Sequence, residues 1–286
     1  MEFTGVKQLK NKIKKIHFIA FIIKKCLFNP ITIEISVCAH CNLNCKGCSH
    51  YSPISSPSSI KLSLNELHKD LINLKKISRS LECIRIMGGE PLLYNNLIEV
   101  LELVRNSFKS LKIELVTNGI KILDNDYQKN KLFWETCRKL NIIICLTIYP
   151  IDIDYKSIIN FFNLNKVSFN IYNKVDKFIE FKLNQTPSSK FNYYSCGEQF
   201  NLQLYNSKLF SCAQCAYINI LNARLKNKFY QHKKDYIKIN KINQLRLRLY
   251  LILPKPFCSF CQFPRTQVNW EYSNKKKEEW LFNQKI

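Results

Sequence analysis

Three cysteines lie close together in the run Cys41-Asn42-Leu43-Asn44-Cys45-Lys46-Gly47-Cys48, spaced by three residues and then two. Three thiolates this near one another, just after an apolar β-type run (Ile31–Val37), can hold three irons of a cubane [4Fe–4S] cluster and leave the fourth iron open to another ligand. An open iron is where chemistry can occur. Other uses of cysteine fit less well. Four CxxC pairs can be drawn, Cys38/Cys41, Cys45/Cys48, Cys212/Cys215 and Cys258/Cys261, and the net charge of +23 makes a zinc-ribbon nucleic-acid binder the first competitor. A ribbon separates its knuckles by roughly 15–20 residues, whereas Asn42, Leu43 and Asn44 are all that separate Cys41 from Cys45. The histidines are scattered and form no paired zinc ligands. A ferredoxin run has its spacings in another order and a fourth cysteine followed by proline. A disulfide scaffold does not suit a chain of 286 residues in which no signal peptide is legible.

The cysteine run resembles the CxxxCxxC cluster loop of the radical S-adenosylmethionine (radical SAM) superfamily. Met87-Gly88-Gly89-Glu90-Pro91-Leu92-Leu93 is similar to that superfamily's GGEP motif at the end of its second strand, and Leu115-Val116-Thr117-Asn118-Gly119 to the third-strand end of many members. The three occur in the family's order, and the resemblance covers Ile31 to about Asn173. It implies a [4Fe–4S] cluster on Cys41, Cys45 and Cys48, with SAM on the open iron cleaved to methionine and a hydrogen-abstracting 5′-deoxyadenosyl radical. It implies SAM contacts at Gly88, Gly89 and Glu90, a weaker one at Asn118, and a ribose contact from the Thr147 hydroxyl. Family members carry an aromatic residue just before the third cysteine, near the adenine; this chain has Gly47, and His50 or Tyr51 could supply the stacking surface instead.

The residues carry their own physical reading. Gly88 and Gly89 follow a short apolar strand and let the backbone approach a ligand closely; a carboxylate at Glu90 suits an amino group. Gly-Gly-Glu-Pro alone would read as a tight turn, as Asn118-Gly119 would. Position decides: the glycines stand between an apolar strand and a helical segment (Asn95–Val104). Cys38, Cys83, Cys137 and Cys145 read as buried thiols within apolar patterns.

These motifs need elements to place them. Residues 31–173 alternate strand and helix, with strands expected at Ile31–Val37, Cys83–Met87, Lys112–Thr117, Ile142–Ile148 and Lys166–Ile171. A capping box at Ser63–Glu66 starts one helix, and Asn95–Val104 and Tyr127–Leu140 have helical periodicity. Such βα alternation predicts a parallel α/β sheet. The resemblance sharpens it to a partial (β/α)6 barrel with a small C-terminal auxiliary-cluster domain. All three motifs then sit at C-terminal strand ends, where the active sites of such folds lie. The expected division is a basic, helical N-terminal extension (1–30), a radical SAM core (31–190) ending in a polar linker from Lys174 to Lys190, a cysteine-bearing segment (191–265) and a basic tail (266–286).

The segment after Lys190 holds Cys196, a hairpin pattern (Asn201–Tyr205 and Lys208–Cys212 around Asn206-Ser207), Cys215, a basic amphipathic run (Ile242–Leu253), Cys258 and Cys261. Four thiolates close a second cubane or a structural zinc site. This layout resembles the twitch domain of some radical SAM enzymes, which implies an auxiliary [4Fe–4S] cluster on Cys196, Cys212, Cys258 and Cys261; Cys215 either replaces Cys212 or is a spare thiol.

The charge is carried mostly by lysine and is spread along the chain, without the arginine and aromatic clustering of base recognition. Nucleic acid is disfavoured and an anionic small molecule is compatible. The apolar run Ile16–Ile23 is far shorter than the ~20 residues of a membrane span. Residues 7–28 read as a helix packed on the barrel, with contact to an anionic membrane surface as the other reading. The expectation is a cytoplasmic enzyme, reduced by a donor such as flavodoxin or ferredoxin, that oxidises a small molecule such as a carbohydrate alcohol. A peptide-modifying enzyme and a non-catalytic iron–sulfur or zinc protein are the alternatives.

Overall fold

A computed structural model describes residues 20, 24 and 26–282 apart from 61 and 185. One eight-stranded sheet organises the chain, in the order β10-β9-β8-β1-β2-β3-β4-β5. Strands β1 (Ile31–Ser36), β2 (Leu81–Met87), β3 (Lys112–Thr117), β4 (Ile142–Ile148) and β5 (Phe169–Lys174) pair in parallel, each with the next. Helices α1 (Leu64–Leu74), α2 (Leu97–Ser107), α3 (Lys131–Lys139) and α4 (Tyr155–Leu164) connect them. The α/β class with a parallel sheet is as expected.

A sixth parallel strand comes from the segment after residue 190. It is β8 (Asn201–Tyr205), which joins the free edge of β1. The hairpin expected there forms, with β9 (Lys208–Phe210) returning antiparallel through Asn206 and Ser207, both at positive φ. Its strands therefore extend the main sheet. β10 (Tyr236–Lys238) pairs antiparallel with β9 and ends that side of the sheet.

Other departures have local causes. The expected strand Lys166–Ile171 begins at Phe169 because Lys166 takes a left-handed conformation (φ 51) that closes α4. The expected helix Tyr127–Leu140 is interrupted. Asn130 caps a new start, its side chain accepting from the Phe133 N–H at 3.1 Å. The polar stretch read as a linker contains β6 (Lys177–Ile179) and β7 (Leu183–Asn184). These pair with β11 (Gln267–Asn269) and β12 (Leu281–Phe282), so the residues read as a tail are folded against the protein. Most of the N-terminal extension lies outside the described residues. Cys26 is buried, its thiol donating to the Leu251 carbonyl at 3.1 Å, which sets this end against α6 (Gln244–Ile252), the helix that follows the shorter α5 (Ile218–Leu225).

Alternation in β1 sorts two faces. Ile31, Ile33 and Ile35 join the main apolar core, with Leu67, Leu71 and Leu74 of α1 and Val100, Leu101 and Val104 of α2. The opposite face carries a row in register across four strands: Gln203, Glu34, Arg85 and Glu114. Arg85 donates to Glu34 at 2.7 Å and to Glu114 at 3.0 Å, Gln203 donates to Glu34, and Lys112 pairs with Glu114. Removing one partner of a buried ion pair strands the other charge. Arg85→Met should therefore lower stability by about 3–5 kcal/mol, read as a fall in the urea midpoint at unchanged m-value.

Candidate active site

The cysteine loop leaves the end of β1 and is held by the end of β2. Gly89 N–H donates to the Cys38 carbonyl at 2.8 Å, and Glu90 N–H to the His40 carbonyl at 2.9 Å. A Cβ on Gly89 would stand 2.0 Å from the His40 oxygen, and one on Gly88 (φ 148) 2.4 Å from the Cys38 oxygen. The close approach that demands glycine is thus to the chain's own loop. Cys38 is the buried thiol expected, donating to the Glu90 carbonyl at 3.3 Å.

Glu90 is buried and its carboxylate is spent on its neighbours. It accepts from Asn118 N–H at 2.9 Å, Leu92 N–H at 3.1 Å and the Thr117 hydroxyl at 2.8 Å. Burial pushes this carboxyl up to about 7, against the three donors. Asn118 in turn donates to Asn42 Oδ1 at 2.9 Å and reaches the Cys41 sulfur at 3.7 Å. One cavity of about 150 Å3 is walled by Cys41, Cys45, Cys48, Gly88, Gly89, Glu90, Asn118 and Thr147. The structure therefore brings the three cysteines, Gly88, Gly89, Glu90, Asn118 and Thr147 to one place.

The aromatic side of this cavity is not legible in the motifs. Tyr51 is fully buried, with its hydroxyl directed at the Gln214 carbonyl, and is unavailable for stacking. His50 stacks on Tyr217, 5.4 Å between ring centres. His50 still lines the cavity, together with Tyr149 and Phe178. Residues 270–280 fasten the cysteine loop from outside. Lys46 N–H donates to the Glu271 carbonyl, Ser273 N–H to the Asn44 carbonyl and Trp280 Nε1 to the Cys48 carbonyl. Gly47, at φ 67, lies under this strap, where a Cβ would come 3.3 Å from the Glu279 carbonyl. The aromatic residues Trp270, Tyr272 and Trp280 in a lysine-rich stretch are its one signal in the sequence.

Cys41, Cys45 and Cys48 fit the expected cluster: they share one cavity, and no fourth cysteine lines it. Burial pushes the Cys41 and Cys45 thiols up, so loading a metal there must release protons. The second cysteine set also converges. Cys196, Cys212, Cys258 and Cys261 line a larger cavity of about 330 Å3, whereas Cys215 is buried in the apolar cluster behind Cys212. Among the described residues no three Cys, His, Asp or Glu side chains are grouped to hold a single metal ion. The two cavities share Ser49, His50, Met87 and Val116 as walls.

Residues 35–151, which span the cysteine loop and the first strand ends around it, match the Radical SAM superfamily, and this part of the chain is a radical SAM domain. A family [4Fe–4S] cluster and SAM are thereby implied. A GTP 3',8-cyclase of Synechocystis sp. is 37% identical over 92 residues, 32% of this chain and 27% of that protein. A 7,8-dihydro-6-hydroxymethylpterin dimethyltransferase of Methanocaldococcus jannaschii is 32% identical over 99 residues, 35% of this chain and 19% of that one. The chain thus spans well under a third of these relatives. Among solved structures, BtrN in complex with AdoMet and 2-DOIA aligns over 83% of this chain and 94% of its own, at 14% identity and a TM-score of 0.48. SuiB of Streptococcus suis bound to S-adenosylmethionine aligns over 60% and 47%, at 16% identity and a TM-score of 0.33. No described helix is long and apolar enough to cross a membrane.

Two outcomes test the site's construction. Gly89→Ala should displace the loop and cost the protein both its first-site iron and its SAM cleavage, measured by iron analysis and 5′-deoxyadenosine formation. For Glu90, a folded pKa raised from 4.5 to about 7 contributes stability that is present below pH 4.5 and lost as pH rises through 7. Glu90→Gln should therefore remove a decline in stability over that window, seen by comparing urea midpoints of variant and parent from pH 5 to 8.

Proposed function

We propose that the protein is a radical SAM enzyme with two [4Fe–4S] clusters that oxidises a small molecule such as a carbohydrate alcohol. One observation carries the reading: the cavity bearing Cys41, Cys45 and Cys48 and the cavity bearing Cys196, Cys212, Cys258 and Cys261 share a wall. A substrate in the larger cavity would have the SAM site on one side and the second cysteine set on the other. When bound, these groups supply reductive cleavage of SAM with removal of a hydrogen atom from the substrate, and uptake of the electron left behind as the hydroxyl proton departs to water.

The chain's own residues hold the parts. Gly88 and Gly89 present the β2 end, Glu90 locks β2 to β3, and Asn118 reaches the Cys41 sulfur. Thr147 ends β4 against the same cavity and is available to a ribose hydroxyl. Cys212 is the ligand in this reading and Cys215 a packed thiol. The reductant would be a flavodoxin or ferredoxin.

Anaerobically purified protein should carry roughly eight irons per chain and form 5′-deoxyadenosine from SAM with dithionite. Bound zinc with little iron would overturn the reading. Cys45→Ala should abolish SAM cleavage. Cys258→Ala and Cys212→Ser should each halve the iron and stop substrate turnover while SAM cleavage persists, whereas Cys215→Ser should keep the full iron content.

A further inference from the structure

The sulfurs of the first cysteine set differ in where their hydrogen-bond donors come from. Cys41 is served by its own motifs: Leu43 N–H donates to it at 3.4 Å and Asn118 Nδ2 at 3.7 Å. Cys45 is served from elsewhere. It stands opposite Tyr272 in an antiparallel bridge, and Trp270 packs on the Tyr272 ring at 4.8 Å and joins Leu43 and Cys45 in a small buried cluster. Trp270 Nε1 is itself buried, yet among the described residues it has no hydrogen-bond partner. An orphaned buried donor costs free energy comparable to a lost hydrogen bond. Trp270 lines neither cavity, so a molecule held in one of them does not relieve the cost. The acceptor left to it is the Cys45 sulfur in its charged form. Burial and the nearby Cys48 disfavour that form, and hydrogen bonds from Trp270 and Tyr149 favour it. Tyr149 follows β4, lines the smaller cavity and packs against the Trp270 ring at 5.8 Å.

We propose that the Trp270 indole N–H and the Tyr149 hydroxyl donate to the Cys45 sulfur of the bound cluster and raise its reduction potential. Hydrogen bonds to a cluster sulfur draw charge from it and favour the more negative, reduced state. The strap that fastens the cysteine loop then also sets how readily the first cluster takes up the electron that cleaves SAM. The inference deepens the proposed function and rests on a [4Fe–4S] cluster at Cys41, Cys45 and Cys48.

A redox titration of the anaerobic protein, followed by electron paramagnetic resonance, tests it. The first cluster's signal is the one that added SAM perturbs, and its midpoint is measured without SAM. Trp270→Phe keeps a ring and loses the N–H. It should lower the ratio of reduced to oxidised cluster at a fixed potential about fivefold, or about 40 mV for one electron. Tyr149→Phe should shift the midpoint the same way, and Tyr272→Phe, which leaves both donors in place, should not shift it. An unshifted or raised midpoint in Trp270→Phe at full iron content overturns the inference, as does an equal shift in Tyr272→Phe. An unshifted midpoint in Tyr149→Phe overturns it whether or not Trp270→Phe keeps its iron. If the unmodified protein holds no iron or shows no SAM-sensitive signal, the proposed function itself fails; if it holds both and the midpoints do not move, this assignment alone fails.

Discussion

The site depends on one backbone contact, the docking of the β2 end onto the first residues of the cysteine loop. Two N–H groups, of Gly89 and Glu90, meet two carbonyls, of Cys38 and His40, and only residues without side chains allow the approach. The contact places the loop, and through Glu90 it also places the next strand, because the carboxylate takes its hydrogen bonds from Thr117 and Asn118. Asn118 then returns to the loop at Asn42 and Cys41. Motifs some forty and some seventy residues after the cysteines are thereby parts of a single closed circuit. A buried carboxyl within it is tolerated because every donor around it is aimed at it.

The same sheet supplies the second constraint. Its outer face is aliphatic and packs on helices; its inner face carries a charged row that floors the larger cavity. Burying Glu34, Arg85 and Glu114 is unfavourable unless they satisfy one another, and they do so across adjacent strands in register. That mutual satisfaction leaves the Arg85 guanidinium committed within the row, and the charged side chains lining the cavity, Glu34 and Glu198 with Arg85 and Arg265, balance where the whole molecule is strongly basic. Net charge counts lysines on the surface, whereas a binding site is governed by the few groups that face it.

Much of this architecture is legible in the amino-acid sequence, for identifiable reasons. Strands with β-branched runs and helices with clear caps fall nearly where their patterns put them, and the three motifs lie at strand ends as their spacing implies. Cys212 and Cys215 cannot be separated by spacing, since both lie at compatible distances; burial separates them. Glycines after a strand suggest close approach to a ligand, but it is the chain itself that Gly88 and Gly89 approach. The charged row is visible as one ionisable residue at the centre of each of three apolar strands, Glu34, Arg85 and Glu114, yet registering them requires the pairing. The placement of β8 beside β1, and the pairing of β6 and β7 with residues after 266, are long-range matters that local pattern does not encode.

The strap over the cysteine loop has a consequence for how the protein is made. The loop's outer hydrogen bonds come from Glu271, Ser273 and Trp280, more than two hundred residues downstream. During synthesis, the loop and its thiols leave the ribosome long before the segment that fastens them. Throughout that interval the loop lacks its outer hydrogen bonds, so its final shape is set only after the C-terminal segment has been made.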